Sequence, residues 1–375
     1  MATEQQLNIS SIQTKMRDLS LGNSDLAKKL DVSREIVSKW LSGKKFPRPL
    51  HLFQLAQALS LKFDEIINPD SNAPVVAYRK NKNAKTKDEH IQTAQYMGEN
   101  LKNLVPFLPF DVSYKPGTLL NPKNDFAYIQ KEADKMRNAL KVKPHDVLEY
   151  QKILEMFSSY HAILIPVLWG DKKKHDNALH IYLPDSSTTW IYLNLNSNQY
   201  DFKFWMIHEF AHILATDLRG DEGEDFADAF AAELLYPIFQ AEKDYAAIQS
   251  NPKKAIGILL NIAKKYEVSP VTIVMQINQY ATLNKKEKLK VNIHPITANF
   301  YKSSKTIAEI IFKTNQPSAK EYIDLSSKHF KTEIFKVIRS YYKKESFSSG
   351  YLQNIFNISF IDAKSLLDEV QHATK

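Results

Sequence analysis

Two histidines four positions apart, His208 and His212, restrict the local fold of this 375-residue chain more tightly than any other pattern in it. Because residues i and i+4 of an α-helix lie on one face, a helix aims both imidazoles at one point. Two ring nitrogens can then hold a Zn2+ ion, and Glu209, which follows the first histidine, would lie beside the open coordination position. A carboxylate there can take a proton from water, so the spacing predicts metalloprotease chemistry with Glu209 as the general base.

A third ligand separates a metal site from the alternative, a buried helix with two hydrogen-bonded histidines. Residues 224–237 have apolar side chains at helical spacing and place Glu224 and Asp228 on one face of a second predicted helix. We expect Glu224 to complete a set of two histidines and one glutamate, and Asp228 to accept the free ring N–H of a ligand histidine. Glu222, which precedes the helical pattern, and Glu233, nine positions after Glu224, stay open as alternative third ligands.

The two motifs together resemble those of the ImmA/IrrE family of bacterial metallopeptidases. The resemblance covers roughly residues 145–280 and lies in the order His-Glu-x-x-His, then Glu-x-x-Ala-Asp-x-Phe-Ala-Ala-Glu-Leu-Leu-x-Pro. It implies a gluzincin-like fold, a Zn2+ cofactor and limited proteolysis of a DNA-binding repressor. It also implies that His208, His212 and Glu224 are the metal ligands and that Glu209 is the general base. Asp228 departs from the family, in which asparagine is commoner at this position.

The first 69 residues predict a compact run of short helices. Ser24 and Ser33 are candidate N-caps, and the helix after Ser33 is expected to extend from Arg34 to Leu41. The region resembles the Xre/Cro-type helix-turn-helix family through the pattern Asp25-Leu-Ala-x-x-Leu-x-Val-Ser-x-x-x-Val-Ser-x-Trp-Leu-x-Gly-x-x-x-Pro47. That family places the second helix of the motif in the major groove of DNA.

A DNA-binding role follows from this resemblance and from the basic residues around the second helix of the motif. We expect Arg34, Ser38 and Lys39 to read base edges. The residues predicted to hold phosphates are Lys28, Lys44, Lys45 and Arg48. The net charge of +8 agrees with a polyanionic partner. A helix-turn-helix that serves only protein interaction is the alternative.

Three β-branched and aromatic runs predict a small sheet ahead of the histidine pair. They cover residues 161–169, 178–183 and 189–195 and are bounded by turn residues. We expect residues 189–196 to form an edge strand that aligns the substrate backbone by strand addition, with a purely structural sheet as the alternative. His180 alternates with apolar neighbours, and this pattern favours an ordinary core or surface histidine over a metal ligand.

The chain as a whole is predicted to be mainly α with a small β-sheet, an α+β protein. We expect an all-α helix-turn-helix domain over 1–69, then a basic linker and helical region over 70–144. A gluzincin-like metallopeptidase domain is expected over 145–285 and a helical C-terminal region over 286–375. Five basic residues and no acidic residue within 79–87 are typical of a solvated hinge.

The composition excludes several classes of protein. The chain has no cysteine, which excludes disulfides and cysteine-bound metals and fits a reducing cytoplasm. The sequence contains neither an apolar signal core nor a run approaching about eighteen apolar residues. We therefore expect a cytoplasmic protein that does not cross a membrane.

Two function classes fit these features. The first is a zinc-dependent regulatory endopeptidase that cleaves a DNA-binding repressor, with DNA and that repressor as partners and a homodimer as one option for its assembly. The second is a transcriptional repressor or antitoxin whose metallopeptidase-like domain is a sensor or dimerisation unit. Glu209 favours the first class, because a structural zinc site needs no general base beside an open coordination position.

Overall fold

The three-dimensional structure is a computed structural model. It describes residues 7–42, 45, 47, 49–61, 66, 74–77, 88–112, 117–170, 177–218, 220–314 and 316–372. The chain divides into two compact units, Met1–Ala73 and Pro74–Lys375. Two of the predicted phosphate contacts, Lys44 and Arg48, and the basic run 79–87 lie outside the described residues.

The described residues of the first unit form four helices around a hydrophobic core. They are α1 (Ile9–Asp18), α2 (Asn23–Lys29), α3 (Arg34–Leu41) and α4 (Pro49–Leu59). Leu26 of α2 and Val37 of α3 are fully buried in this core, and Trp40 is 3% exposed. The apolar spacing of the sequence therefore builds the small helical bundle that it predicts.

The N-terminal caps of α2 and α3 show where each helix of the motif begins. Ser33 precedes α3 as predicted, and its hydroxyl oxygen accepts a hydrogen bond from the N–H three residues later at 3.3 Å. The prediction for Ser24 is wrong, because α2 begins at Asn23 after an N-cap at Gly22. The carboxylate of Asp25, in the first turn of α2, accepts a hydrogen bond from the N–H of Gly22 at 3.0 Å. This backbone N–H at the start of the helix therefore has a hydrogen-bond partner.

Helices cover both faces of a four-stranded sheet in the second unit. The strands are β1 (Val75–Ala77), β2 (Ile163–Val167), β3 (Ala178–Leu183) and β4 (Thr188–Asn194). The helices are α5 (Asp88–Leu101), α6 (Phe126–Ala139), α7 (Tyr150–Ser159), α8 (Gln199–Leu214), α9 (Gly220–Leu235), α10 (Ile238–Ser250), α11 (Ala255–Tyr266), α12 (Pro270–Leu283), α13 (Ile293–Tyr301), α14 (Ile307–Phe312), α15 (Ala319–Phe330), α16 (Ile334–Glu345), α17 (Ser349–Phe356) and α18 (Phe360–His372). This architecture confirms the predicted α+β fold, mainly α with a small sheet.

The strand order β1-β3-β4-β2 places β4 inside the sheet. β4 pairs antiparallel with β3 and parallel with β2, so both of its edges are hydrogen-bonded. The prediction that residues 189–196 form an edge strand for substrate is therefore wrong. All seven residues of β4 are buried, as expected for an interior strand with both faces covered.

The side chains of β4 alternate between two hydrophobic cores, one on each face of the sheet. Ile191 and Leu193 lie in the first core, together with residues of α7, α8 and α9. Trp190 and Tyr192 lie in the second core, together with residues of α5, α16, α17 and α18. The histidine pair belongs to α8 and therefore lies on the first face.

The helices after residue 285 share both cores with the rest of the second unit. Phe300 and Phe312 lie in the first core, and Ile338 and Leu352 lie in the second. These helices therefore stabilise the sheet itself. The predicted domain boundary at 285 stays a prediction. Within the described part of the chain, every helix is too short or too polar to cross a membrane.

Candidate metal centre

The histidine pair lies in the buried second half of α8. The helix begins after Asn198, whose side-chain oxygen accepts a hydrogen bond from the N–H of Tyr200 at 3.0 Å. Farther along the helix, His208 is 1% exposed and Glu209 is 5% exposed. Burial of such polar groups is unfavourable unless each one is hydrogen-bonded or bound to an ion. This half of α8 is therefore a candidate binding site.

Polar contacts near the start of α8 fix its position against later helices. The hydroxyl of Tyr301, at the end of α13, donates a hydrogen bond to Asp201. The ammonium of Lys203, which is buried, lies 2.7 Å from the carboxylate of Glu267, just after α11. The C-terminal half of the second unit therefore helps to hold the helix that carries the histidines.

Two glycines allow α9 to turn back sharply against α8. Gly220, the first residue of α9, has a φ of +58°, a conformation that side chains with a Cβ rarely adopt. Gly223 lies so close to Leu218 that a Cβ there would be 2.8 Å from the carbonyl oxygen of Leu218. This close approach directs Glu224, in the second turn of α9, towards the histidines.

Glu224 faces both histidines where α9 packs against α8. Its Oε2 lies 3.3 Å from Nε2 of His208, its Oε1 lies 3.4 Å from Nε2 of His212, and the two Nε2 atoms are 3.3 Å apart. A tetrahedral ion with bonds of about 2.0–2.1 Å holds its ligand atoms about 3.3–3.4 Å apart. The spacing of the three side chains therefore fits a zinc ion. Among the described residues, these three form the group of possible metal ligands whose atoms lie close enough to share one ion.

Asp228, one turn after Glu224, orients the first histidine. Its Oδ1 lies 3.0 Å from Nδ1 of His208, which leaves Nε2 of the same ring directed towards Glu224 and His212. A carboxylate that accepts the N–H of one ring nitrogen selects the tautomer in which the other nitrogen can bind a metal. The structure thus places Asp228 beside His208, and its role in orienting a metal ligand stays a prediction.

We expect Asp228→Ala to lower zinc affinity by about 10- to 100-fold, because His208 would lose its orienting acceptor. Asp228→Asn keeps a side-chain oxygen for the same ring N–H and should retain most of the affinity. Competition with a chromogenic chelator measures both. Asp225→Ala, at an exposed position of the same helix, is the matched control. Equal affinity in the Asp228→Ala variant and the wild type would contradict an orienting role.

Comparison with known protein families finds one matching family model in each of the two compact units. Residues 15–66 match the helix-turn-helix model, and residues 163–278 match the model of the IrrE N-terminal-like domain, which is a peptidase family. The chain joins a helix-turn-helix domain to an IrrE-like peptidase domain. Both matches confirm the architecture that the sequence motifs predicted. No curated protein and no solved structure matched the chain.

Carboxylates around the IrrE-like site favour a proton on the first histidine in the metal-free protein. Burial lowers the pKa of His208, but hydrogen bonds to Asp228 and Glu224 and the nearby charge of Glu209 outweigh it and raise the pKa to about 9. Burial, followed by the charge of His208, lowers the pKa of His212 well below its usual value. A ligand histidine must be neutral, so a proton on His208 and a metal ion exclude each other.

The two alternative third ligands lie elsewhere in the IrrE-like domain. Glu233 is buried, and its carboxylate accepts hydrogen bonds from the N–H of Ile238 at 3.0 Å and from the side-chain amide of Gln276. The carboxylate therefore closes the turn after α9 and is not part of the group that converges on the histidines. Burial raises the pKa of Glu233 to about 7. Glu222 lies inside α9 and not before it, and its side chain is exposed.

His180 of β3 lies beside the candidate centre. It is 7% exposed, and its ring stacks on His212 with centroids 6.1 Å apart and planes 17° apart. As predicted, it is a core residue and does not belong to the group whose ligand atoms converge, but its Nε2 is buried without a hydrogen-bond partner. Burial lowers the pKa of His180 to about 4, which keeps its ring neutral at pH 7. Strand alternation placed His180 on one face of β3, but only the fold shows that α8 packs against that face.

In the helix-turn-helix domain, the predicted base-reading residues share the exposed side of α3. Arg34, Ser38 and Lys39 are exposed, whereas Val37 and Trp40 face the core. Lys28 and Lys45, two of the predicted phosphate contacts, are exposed as well. This surface has the composition of a DNA-contacting helix, and the individual contacts stay predictions.

Proposed function

We propose that this protein is a zinc-dependent regulatory endopeptidase that cleaves a DNA-binding repressor and so switches on the genes under its control. The observation that carries the proposal is the spacing of Nε2 of His208, Nε2 of His212 and the Glu224 carboxylate, in a domain that matches a peptidase family. Glu209, on the same helix, supports hydrolysis, because a purely structural metal site needs no adjacent base.

In this proposal His208, His212 and Glu224 hold the zinc ion. When bound there, zinc would act as a Lewis acid that polarises the scissile carbonyl and lowers the pKa of water. Glu209 accepts the proton of the attacking water and returns it to the amine that leaves when the peptide bond breaks. Asp228 keeps the ring of His208 in the tautomer that binds metal.

The helix-turn-helix domain supports a regulatory substrate over general protein turnover. A peptidase fused to a DNA-reading domain can be brought to the same DNA as a repressor, which raises their local concentration without any new contact between the two proteins. One cut in such a repressor separates its DNA-binding part from the rest, so a slow enzyme is sufficient to change gene expression.

The direct test incubates the zinc-loaded full-length protein with the helix-turn-helix repressors encoded nearest its own gene. We expect intact-mass spectrometry to show two fragments from one cut, and no fragments after a chelator removes the zinc. Each reaction is run with and without duplex DNA, because DNA is a proposed partner. Repressors that stay intact under every condition, with zinc bound, would favour the sensor function over the protease.

The DNA-binding surface makes a separate prediction. Arg34→Ala and Lys39→Ala should change the preferred sequence, since each well-formed base contact is worth about 1–3 kcal/mol of discrimination. Lys45→Ala should weaken binding to all sequences alike. It should also reduce the slope of log affinity against log salt concentration by about the amount expected for one lost phosphate contact. Fluorescence anisotropy of the full-length protein on a duplex library, at two salt concentrations, measures both effects. Lys264→Ala, at an exposed position of α11, is the control, and salt-independent binding would contradict the assignment.

A further inference from the structure

His180 is a buried polar side chain that the proposed mechanism does not use. It is 7% exposed, and among the described residues its Nε2 has no hydrogen-bond partner. A buried ring nitrogen without a partner costs free energy, and such groups in folded proteins commonly contact a ligand or take part in a reaction. Nε2 of His180 is therefore a candidate contact for a ligand.

The strands on either side of His180 contribute apolar side chains. Leu179 and Ile181, its neighbours along β3, lie in the second core, so His180 faces the other side of the sheet, where α8 packs. The residues paired with it across the sheet are Ala77 on β1 and Ile191 on β4. A polar contact for Nε2 is therefore expected from the side of α8, which is the side of the candidate metal centre.

The ring of His180 lies just outside the candidate ligand set. It stacks on His212 with ring centroids 6.1 Å apart, whereas the centroids of His208 and His212 are 5.0 Å apart. Among the described residues, the group whose atoms can share one ion does not include His180. A donor that contacts a molecule bound to zinc lies one hydrogen bond of about 2.8–2.9 Å beyond a metal–oxygen bond of about 2.0–2.2 Å. The position of His180 therefore suits a contact with the substrate and not with the metal ion.

We propose that His180 is a catalytic residue, which donates a hydrogen bond from Nε2–H to the carbonyl oxygen of the peptide bond while that bond is hydrolysed. The proposal rests on the proposed peptidase function and adds a residue to the same site. Donors aimed at the oxygen on which negative charge develops are among the largest contributions to catalysis of acyl transfer.

The proposed step leaves the proton of His180 in place. When the water oxygen bonds to the carbonyl carbon, the π electron pair of the C=O bond moves onto the carbonyl oxygen, and Glu209 takes one proton of the water. The Nε2–H of His180 stabilises the negative oxygen without giving up its proton. The C=O bond forms again when the C–N bond breaks and Glu209 gives its proton to the leaving amine.

The surroundings of His180 suit a neutral hydrogen-bond donor. Burial lowers the pKa of His180 to about 4, so at pH 7 the ring is neutral and carries one N–H. A neutral imidazole can polarise a carbonyl group by hydrogen bonding alone. β3 is paired on both sides, with β1 and with β4, and this pairing holds the donor in position before the reaction begins.

Three substitutions separate a hydrogen-bond donor from a ring that only packs on His212. His180→Phe keeps an aromatic ring but has no donor. His180→Gln places an amide nitrogen close to the position of Nε2, whereas His180→Asn places one close to the position of Nδ1. His329→Phe, at an exposed position of α15, is the matched control.

We expect kcat for repressor cleavage to fall about 10²- to 10³-fold in His180→Phe and in His180→Asn, because the oxyanion loses one donor. KM should stay within about threefold of the wild-type value, since the contact strengthens only as the charge develops. His180→Gln should recover most of the loss, and His329→Phe should cleave at the wild-type rate. Zinc content, measured by mass spectrometry, should be equal in all four variants.

A binding measurement that needs no cleavage tests the same donor. The probe is acetohydroxamate, a small zinc chelator whose oxygen atoms also accept hydrogen bonds. It is titrated into the cobalt-substituted protein and followed by visible absorption. We expect His180→Phe and His180→Asn to bind it about tenfold or more weakly than the wild type, as for the loss of one hydrogen bond to a charged group. His180→Gln should bind it about as tightly as the wild type does.

The outcomes distinguish this proposal from the proposed function. A wild-type kcat in His180→Phe would overturn the donor role, and loss of zinc from that variant would show instead that the residue holds or orients the metal. Equal affinity of the wild type, His180→Phe and His180→Gln for acetohydroxamate would overturn the proposal as well. If acetohydroxamate binding follows the predicted order but neither the wild type nor any variant cleaves a repressor, the hydrogen-bond donor stands and the peptidase proposal fails.

Discussion

Glu209→Gln is expected to slow repressor cleavage strongly while the protein keeps its zinc. The amide has nearly the same size as the carboxylate but cannot accept the proton of the attacking water. General base catalysis contributes about 10²- to 10⁴-fold to such reactions, so the cleavage rate should fall by that factor. Because Glu209 is assigned the proton and not the metal, zinc content measured by mass spectrometry should match that of the wild type.

The matched control for this experiment is Glu222→Gln. Glu222 is exposed in α9 and does not belong to the group that converges on the candidate centre, so its variant should cleave at the wild-type rate. Cleavage by Glu209→Gln at a rate within about threefold of the wild type would show that another group takes the proton, since a lost general base costs far more.

Glu224→Ala is expected to lose zinc, and cleavage with it. Two histidines alone would remain, and the loss of a direct ligand should lower affinity by more than the roughly 10- to 100-fold that an orienting partner contributes. The wild type should also be stabilised when zinc is added to the metal-free protein, by about 2.7 kcal/mol at a free zinc concentration 100 times the dissociation constant. Thermal unfolding with and without zinc measures this, and the Glu224→Ala variant should show almost no shift at the same zinc concentration.

Glu233→Gln separates the assigned ligand from its strongest sequence alternative. Its carboxylate is occupied by Ile238 and Gln276, so this variant should keep zinc and the zinc-dependent shift in unfolding temperature. A protein that kept full zinc as Glu224→Ala and lost it as Glu233→Gln would refute the assignment of the third ligand. His212→Ala is the positive control for loss of metal.

The sequence predicted those parts of the site that depend on short-range geometry. The spacing of His208 and His212 requires a helix, and the apolar period after Glu224 predicts the helix on which that glutamate and Asp228 share a face. The N-cap at Ser33 and the exposed side of α3 were predicted for the same reason. Each of these features depends on residues within a few positions of one another.

The sequence did not predict where the strands lie in the sheet. The run 189–195 has the composition of a strand, but composition does not distinguish an edge strand from an interior one, because that depends on which other segments pair with it. The three residues of β1 are too short a run to be recognised as a strand at all. The long-range pairing of β1 with β3 therefore came only from the structure.

The sequence by itself determined the helix that carries His208, Glu209 and His212, and the chemistry that these residues favour. Tertiary structure alone decided the surroundings of that helix. Packing placed Glu224 within 3.4 Å of the histidine nitrogens, directed Glu233 to another turn and stacked His180 on His212. The physical reason is that a helix or a cap is specified by neighbours along the chain, whereas strand order and the contacts between helices depend on groups far apart in sequence that meet only when the chain has folded.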